Sequence, residues 1–244
     1  MSEQLRMWVE ISFNIAYLLV VWGLVIAMWR RRAEIAPSQR WAMPFIAAFA
    51  LLALGDTGHV GFRIIAYALG DLDATFSLGG LQLGWVGLGA LSTAVTLTFF
   101  YALIYLIWLR RFDRRLDWFG AVLLAAGVAR LVIMAFPQNQ WNSAVPPQPW
   151  SLYRNLPLIV SGLGVAYLIL RDAAAAKDRT FLWIGAMILV SYAFYMPVIF
   201  WVQQMPMIGM LMIPKTLAYV AIAWIGYRHL FGARKTTAST LAHA

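Results

Sequence analysis

Seven long apolar runs organise the chain, at roughly 7–29, 41–69, 81–109, 116–136, 151–170, 180–202 and 208–227. Each holds about twenty residues or more, which at a rise of ~1.5 Å per residue spans the ~30 Å hydrocarbon layer of a bilayer. A soluble amphipathic helix shows a polar stripe at every third or fourth position, and most of these runs show none. The pattern predicts an all-α membrane protein, a single domain over 1–244 built as a seven-transmembrane-helix bundle. Composition points the same way. The chain is 62% hydrophobic and 12% charged, against about 25% charged in an average soluble domain. A water-soluble globular domain and a disordered chain are both excluded.

The net charge of +9 raises the question of a nucleic-acid partner, and the distribution of the charge answers it. The first connector holds Arg30, Arg31, Arg32 and Arg40. The third holds Arg110, Arg111, Arg114 and Arg115. The fifth holds Arg171, Lys177 and Arg179, and the C-terminal tail holds Arg228, Arg234 and Lys235. Connectors two, four and six (71–80, 137–150 and 203–207) hold no basic residue. This alternation is the positive-inside pattern, so the N-terminus is expected outside and the C-terminus in the cytoplasm. Glu34, Asp113, Asp117, Asp172 and Asp178 lie in the same basic segments and reduce their balance to the whole net charge. The basicity is topological, and no nucleic-acid partner is expected. The start, MSEQLR, lacks a signal-peptide pattern, so the first helix is expected to stay as an anchor. A multi-pass protein of the plasma membrane follows, in a bacterium the inner membrane.

Trp29, Trp41, Trp108, Trp118, Trp141, Trp150, Trp201 and Tyr227 fall near run ends, where amphipathic rings favour the headgroup level. The third run is rich in small residues. Gly80 and Gly84, like Ala90 and Ala94, are four apart and would stack on one helix face, allowing close helix approach near the bundle centre. The connector PQNQWNSAVPPQPW is too rich in proline for regular structure. It reads as a surface loop, with a lid over the outer mouth as the sharper alternative.

Ionisable groups inside the apolar runs carry the functional signal, because each costs about 2.5–3.5 kcal/mol at a bilayer centre. They are Glu10, Asp56, Arg63, Arg130, Arg154 and Lys215, joined by His59, Asn14, Asn155, Tyr192 and Tyr195. With the predicted orientation, all lie from mid-depth outward, and the inner half is almost wholly apolar. One polar cavity open to the outside explains a shared depth, which scattered ion pairs do not require. In GDTGHVGFR, Asp56, His59 and Arg63 fall within roughly 60° of one another on a helix. Asp56 and His59 could serve as acid and base or as a proton relay; an intrahelical ion-pair network is the structural alternative. Gly55, Gly58 and Gly61 thin that helix for a ligand or a neighbour. Lys215, after Pro214 and one turn before Tyr219, suits a counter-ion to Asp56, or a Schiff-base lysine. Pro214 is expected to loosen its helix and free a carbonyl near 210. Four cations against Glu10 and Asp56 call for an anion.

The chain has no Cys and three His, at 59, 229 and 243. A multi-His metal site and a thiolate site are excluded, and no metal or cofactor is expected. Motifs for metalloproteases, serine hydrolases and P-loops are missing. The Met-rich stretch 205–214 reads as core filler. The layout resembles that of rhodopsins and other heptahelical receptors in topology alone, since the third helix lacks the carboxylate of a microbial rhodopsin. The reading that follows is binding or transport of an anionic small molecule or lipid headgroup in an outward-facing polar cavity. Arg63, Arg130, Arg154, Asn155, Lys215, Tyr192, Tyr195, Glu10 and Asn14 would line it, with membrane lipids as surroundings. The alternatives are an intramembrane lipid- or isoprenoid-modifying enzyme using Asp56 and His59, and a heptahelical sensor. A sensor would need a cytoplasmic protein partner and could carry a chromophore on Lys215.

Overall fold

The computed structural model describes residues 3–232. Arg234, Lys235 and His243 of the tail lie outside the described residues. Seven α-helices follow in order: α1 (Glu3–Arg30), α2 (Ala42–Ala68), α3 (Trp85–Arg111), α4 (Trp118–Met134), α5 (Trp150–Ala175), α6 (Arg179–Trp201) and α7 (Met212–Phe231). Six regions are long and apolar enough to cross a membrane: Trp8–Arg30, α2, α3, α5, α6 and Pro206–Phe231. The chain is a multi-pass helical membrane protein. Helix α4 is apolar but shorter, at 17 residues.

Two departures from the sequence pattern matter for the site. The apolar run expected to begin a helix at 81 begins instead as a strand. Strands β1 (Thr75–Leu78) and β2 (Leu81–Gly84) form an antiparallel hairpin in the register Thr75↔Gly84 to Leu78↔Leu81. Its two-residue turn is Gly79 (φ 58°) and Gly80 (φ 84°), a pair of positive φ angles that glycine adopts without strain and that matches the twist of the flanking strands. Gly80 and Gly84 therefore do not stack on a helix face. Gly80 turns the hairpin, and Gly84 caps the N-terminus of α3 in an extended conformation. The second departure is at α7, which starts at Met212 after a 3-10 stretch, Pro206–Leu211. Pro214 thus sits in the first turn, where its missing N–H has no intrahelical partner to lose. It starts the helix and does not break it.

Helices α2 and α3 form the most extensive contact in the bundle. A Cβ at Gly55 would collide with the Thr96 side chain, and one at Gly58 would meet Ser92 Oγ at 2.6 Å. A Cβ at Gly89 would lie 3.0 Å from the His59 carbonyl. Here the glycines of α2 admit a helix, as small residues at membrane interfaces do. Gly61 faces open space.

An aromatic column fills the arginine-rich end. Trp41 meets Phe45 and Phe181 edge-on, with centroids 5.5 and 5.1 Å away, Phe45 packs on Phe49 at 4.9 Å, and Phe49 on Phe100 at 5.5 Å. Phe100 then touches Tyr101 and Tyr219. Beneath the column, acids and arginines pair off. Buried Asp172 accepts from Trp108 Nε1 (2.9 Å), Arg114 Nε (3.1 Å) and Arg171 Nε (2.9 Å). Asp178 caps α6 through Thr180 N and Phe181 N and pairs with Arg111, and Asp117 caps α4 through Gly120 N. Such caps satisfy backbone donors that a helix start leaves over.

The opposite end is covered by the hairpin and the 135–149 connector. Gly84 N donates to Trp141 O (3.1 Å), Ala144 N to Asp73 Oδ1 (3.0 Å), and Gln203 Nε2 to Pro146 O (2.5 Å). Cβ atoms at Gly84 and Gly87 would strike the backbone of Asn142 and Trp141. The proline-rich connector is therefore packed onto the start of α3.

Candidate functional site

At the hairpin end of the bundle, polar side chains from all seven helices meet. From α1, Tyr17 donates its hydroxyl to Asp56 Oδ2 at 2.7 Å, and from α3, Thr93 donates to Asp56 Oδ1 at 2.7 Å. Both carboxylate oxygens are thus held by neutral donors. The structure shows no hydrogen bond between Asp56 and His59. His59 Nδ1 is buried without a hydrogen-bond partner among the described residues, with Asp56, Arg63 and Lys215 as the charged groups around its ring. One turn on, Arg63 pairs with Glu10 of α1 at 3.7 Å and lies 5.9 Å from the Tyr67 ring, while its Nε is buried without a partner. Asn14, one turn from Glu10, is partly buried.

Arg130 crosses the bundle. It is 2% exposed; its Nε donates to Arg154 O (3.0 Å), and its Nη1 to Ala94 O (2.9 Å) and Thr98 Oγ1 (2.9 Å). One side chain from α4 therefore ties down α5 and α3. Of its five N–H donors, the two on Nη2 reach no protein acceptor among the described residues. Arg154 of α5 spends one N–H on Asn139 Oδ1, at a long 3.4 Å, and its guanidinium stacks 4.4 Å over Trp141. Asn139 is fixed in turn by Nδ2 bonds to Ile133 O and Phe136 O. The covering connector thus positions Arg154 through two side chains.

Lys215 of α7 closes the ring. Its Nζ lies 4.8 Å from the Tyr195 ring centre and 5.3 Å from that of Tyr219. Asp56 and Arg130 are the charged groups whose fields act on it. It makes no ion pair or hydrogen bond to any described residue. Tyr195 donates to Asn155 Oδ1 (3.3 Å), Tyr192 to Leu158 O (2.8 Å), and the hydroxyls of Tyr101 and Tyr219 share a 2.7 Å hydrogen bond. All four tyrosines lie within electrostatic reach of Arg130.

Comparison with protein-family models, curated proteins and solved structures finds no match. Function must therefore be read from the chemistry of this cluster. Three cations from three helices, Arg130, Arg154 and Lys215, have no carboxylate at ion-pair distance among the described residues. Among the described residues Asp56 is the acid that acts on Lys215, and it already accepts two hydrogen bonds. Buried cations without partners are expensive. Cations whose donors remain uncommitted can be neutralised by an anion, which a planar guanidinium and a point-like ammonium suit well. Among the described residues no group of His, Asp and Glu is arranged to hold a metal ion.

The structure brings together Asp56, His59, Arg130, Arg154, Asn155, Tyr192, Tyr195 and Lys215. Glu10, Asn14 and Arg63 lie along the α1–α2 side of the same end. The sequence pattern did not single out Tyr17, Thr93, Thr98, Tyr101 or Asn139. Two of these carry a weak signal: Thr93 and Thr98 are hydroxyl residues in the small-residue stretch of α3 that faces α2 and α4.

Proposed function

We propose that this protein binds an anionic small molecule or lipid headgroup at the hairpin end of its bundle, with a phosphate or carboxylate seated among Arg130, Arg154 and Lys215. In this reading the N-terminus and hairpin face outward and the arginine-rich end faces the cytoplasm, in accord with the positive-inside rule. The observation that carries it is Lys215, a lysine flanked by two tyrosine rings with no carboxylate within ion-pair distance. The guanidiniums of Arg130 and Arg154 supply directional donors, and Tyr195, with Asn155, borders the seat. Tyr17 and Thr93 keep Asp56 from collapsing onto the lysine. The aromatic column from Trp41 to Phe100 closes the far side, which favours a binding site entered from one side.

The test is direct binding to purified protein in detergent by calorimetry, using inorganic phosphate, citrate and a short-chain phosphatidic acid as probes. At least one should bind with 1:1 stoichiometry and lose affinity in both Arg154→Ala and Lys215→Met. Equal affinity in wild type and both variants would remove the proposal. The enzymatic alternative requires Asp56 to orient His59, whereas the carboxylate is committed to Tyr17 and Thr93. Lipid turnover abolished by Asp56→Asn in a folded protein would restore it.

A further inference from the structure

A second cationic site lies at the opposite end of the bundle. The α1–α2 connector leaves Arg30, makes a 3-10 turn over Arg32–Glu34 and returns past Pro37 to the start of α2. Between this connector and the end of α3 is a groove of about 530 Å³. Arg32, Arg40 and Arg110 line it together with Ile35, Pro37 and Met43.

Two of its three arginines are held in place by backbone carbonyls. Arg32 Nη1 donates to Trp29 O at 2.9 Å, and its guanidinium lies 4.5 Å over the Trp29 ring. Arg110 Nη1 donates to Arg40 O at 3.3 Å. Arg40 pairs with Asp113 at 2.9 Å, in an exposed contact where both side chains are well solvated. Among the described residues, neither Arg32 nor Arg110 has a carboxylate partner. Other acids at this end pair elsewhere: Glu34 with Arg31, Asp172 with Arg114 and Arg171, Asp178 with Arg111. Among the described residues the three groove arginines face one paired carboxylate, Asp113, which leaves the groove a positive excess.

Its position is as informative as its charge. The spans Trp8–Arg30, Ala42–Ala68 and Trp85–Arg111 end or begin beside it, so it lies at the edge of the hydrocarbon layer. Exposed Met43, on the first turn of α2, continues its apolar wall toward the bilayer. A soluble anion has no use for such a wall, whereas a phosphodiester carrying acyl chains does.

We infer that this groove binds the headgroup of an anionic phospholipid, its phosphate between Arg32 and Arg110 and an acyl chain along Ile35 and Met43. The site is independent of the cluster at the hairpin end and shares no residue with it. A zwitterionic lipid would bring a cation against Arg40 and bind less well.

Native mass spectrometry of the full chain released from detergent tests this, with phosphatidylglycerol, phosphatidylcholine and inorganic phosphate as probes. Wild-type protein should retain phosphatidylglycerol in preference to phosphatidylcholine. R32Q/R110Q should lower that retention about 30-fold, the effect of two basic residues near an anionic headgroup. Ala36→Glu keeps the three arginines and sets a carboxylate in the groove lining. It should lower retention in the same direction and guards against misfolding of the double variant. In an Arg154→Ala background, which disables the seat at the hairpin end, R32Q/R110Q should still lower retention about 30-fold, which separates this site from the one proposed above. Equal retention of the two lipids, wild-type retention in both groove variants, or displacement of the lipid by equimolar phosphate would each overturn the inference.

Discussion

Replacing Arg130 with Met separates a structural clamp from a binding group. The variant loses three interhelical hydrogen bonds, to Arg154 O, Ala94 O and Thr98 Oγ1. Such bonds in membrane proteins average about 0.6 kcal/mol each, so their joint loss is about 2 kcal/mol. Two of the acceptors are helix carbonyls that keep their own backbone partners, and Thr98 Oγ1 still donates to Ala94 O at 2.9 Å. Against this loss stands the cost of an arginine in the bilayer interior, about 2.5–3.5 kcal/mol. Methionine nearly matches the apolar stem and carries no such cost. The second effect equals or exceeds the first, so ligand-free Arg130→Met should be as stable as wild type or more stable by about 1 kcal/mol. Anion binding should weaken on the order of 10- to 100-fold, because a charge-assisted hydrogen bond is lost. Reversible unfolding of purified protein in mixed micelles, followed by tryptophan fluorescence with and without the anionic probe, gives both quantities. A ligand-free variant destabilised by more than about 2 kcal/mol, with undiminished affinity for the probe, would show that Arg130 is a clamp and refute the reasoning.

Four other outcomes are expected. Gly55→Ala should destabilise by about 1–3 kcal/mol through collision with Thr96, whereas Gly61→Ala, facing open space, should change stability by no more than about 0.5 kcal/mol; thermal unfolding of the pair checks this. Asp172→Ala leaves the buried Trp108 N–H without its acceptor and should cost about 1–3 kcal/mol, read by the same unfolding assay. The native chain has no cysteine, so single-cysteine variants report topology cleanly. An impermeant maleimide applied to intact cells should label Ser77→Cys in the hairpin and spare Ala176→Cys at the arginine-rich end; the reverse labelling would invert the proposed orientation. Trp141→Ala removes the ring stacked on buried Arg154 and should weaken binding of the anionic probe roughly 30-fold by calorimetry, the effect of a desolvated cation–π contact.

Helix number and placement were legible in the chain because a bilayer demands long apolar runs and punishes charge between them. All seven runs overlie helices that begin and end within about five residues of the apolar pattern, since helix ends fray into caps and 3-10 turns. The hairpin was hidden because LQLG continues the apolar run of α3, and alternation over four residues is too short to compete with it. Its legible sign was the Gly79–Gly80 pair. Charged members of the cluster stood out through their cost in the membrane. Tyr17, Thr93 and Thr98 did not, because hydroxyl groups enter a helix at little expense. Thr98 satisfies itself on the Ala94 carbonyl one turn back. Periodicity along α2 placed Asp56 and His59 on one stripe, but pairing is decided across helices, and there Tyr17 and Thr93 reach the carboxylate first.

The covering connector joins three separate loops at their tips. Asp73 receives Ala144, Trp141 receives Gly84, and Pro146 receives Gln203. Each tie is a single bond, the one from Gly84 leaving the end of β2, while α2 and α3 below are interlocked at Gly55, Gly58 and Gly89. The roof is held by single hydrogen bonds and by the contact of Trp141 and Asn142 with the start of α3, and the α2–α3 wall below by interlocked helices. Arg154 hangs from that roof through Asn139 and Trp141. A solute that raised the roof on entering would swing one of its own ligands aside, and the roof's return would bring the guanidinium back down upon it.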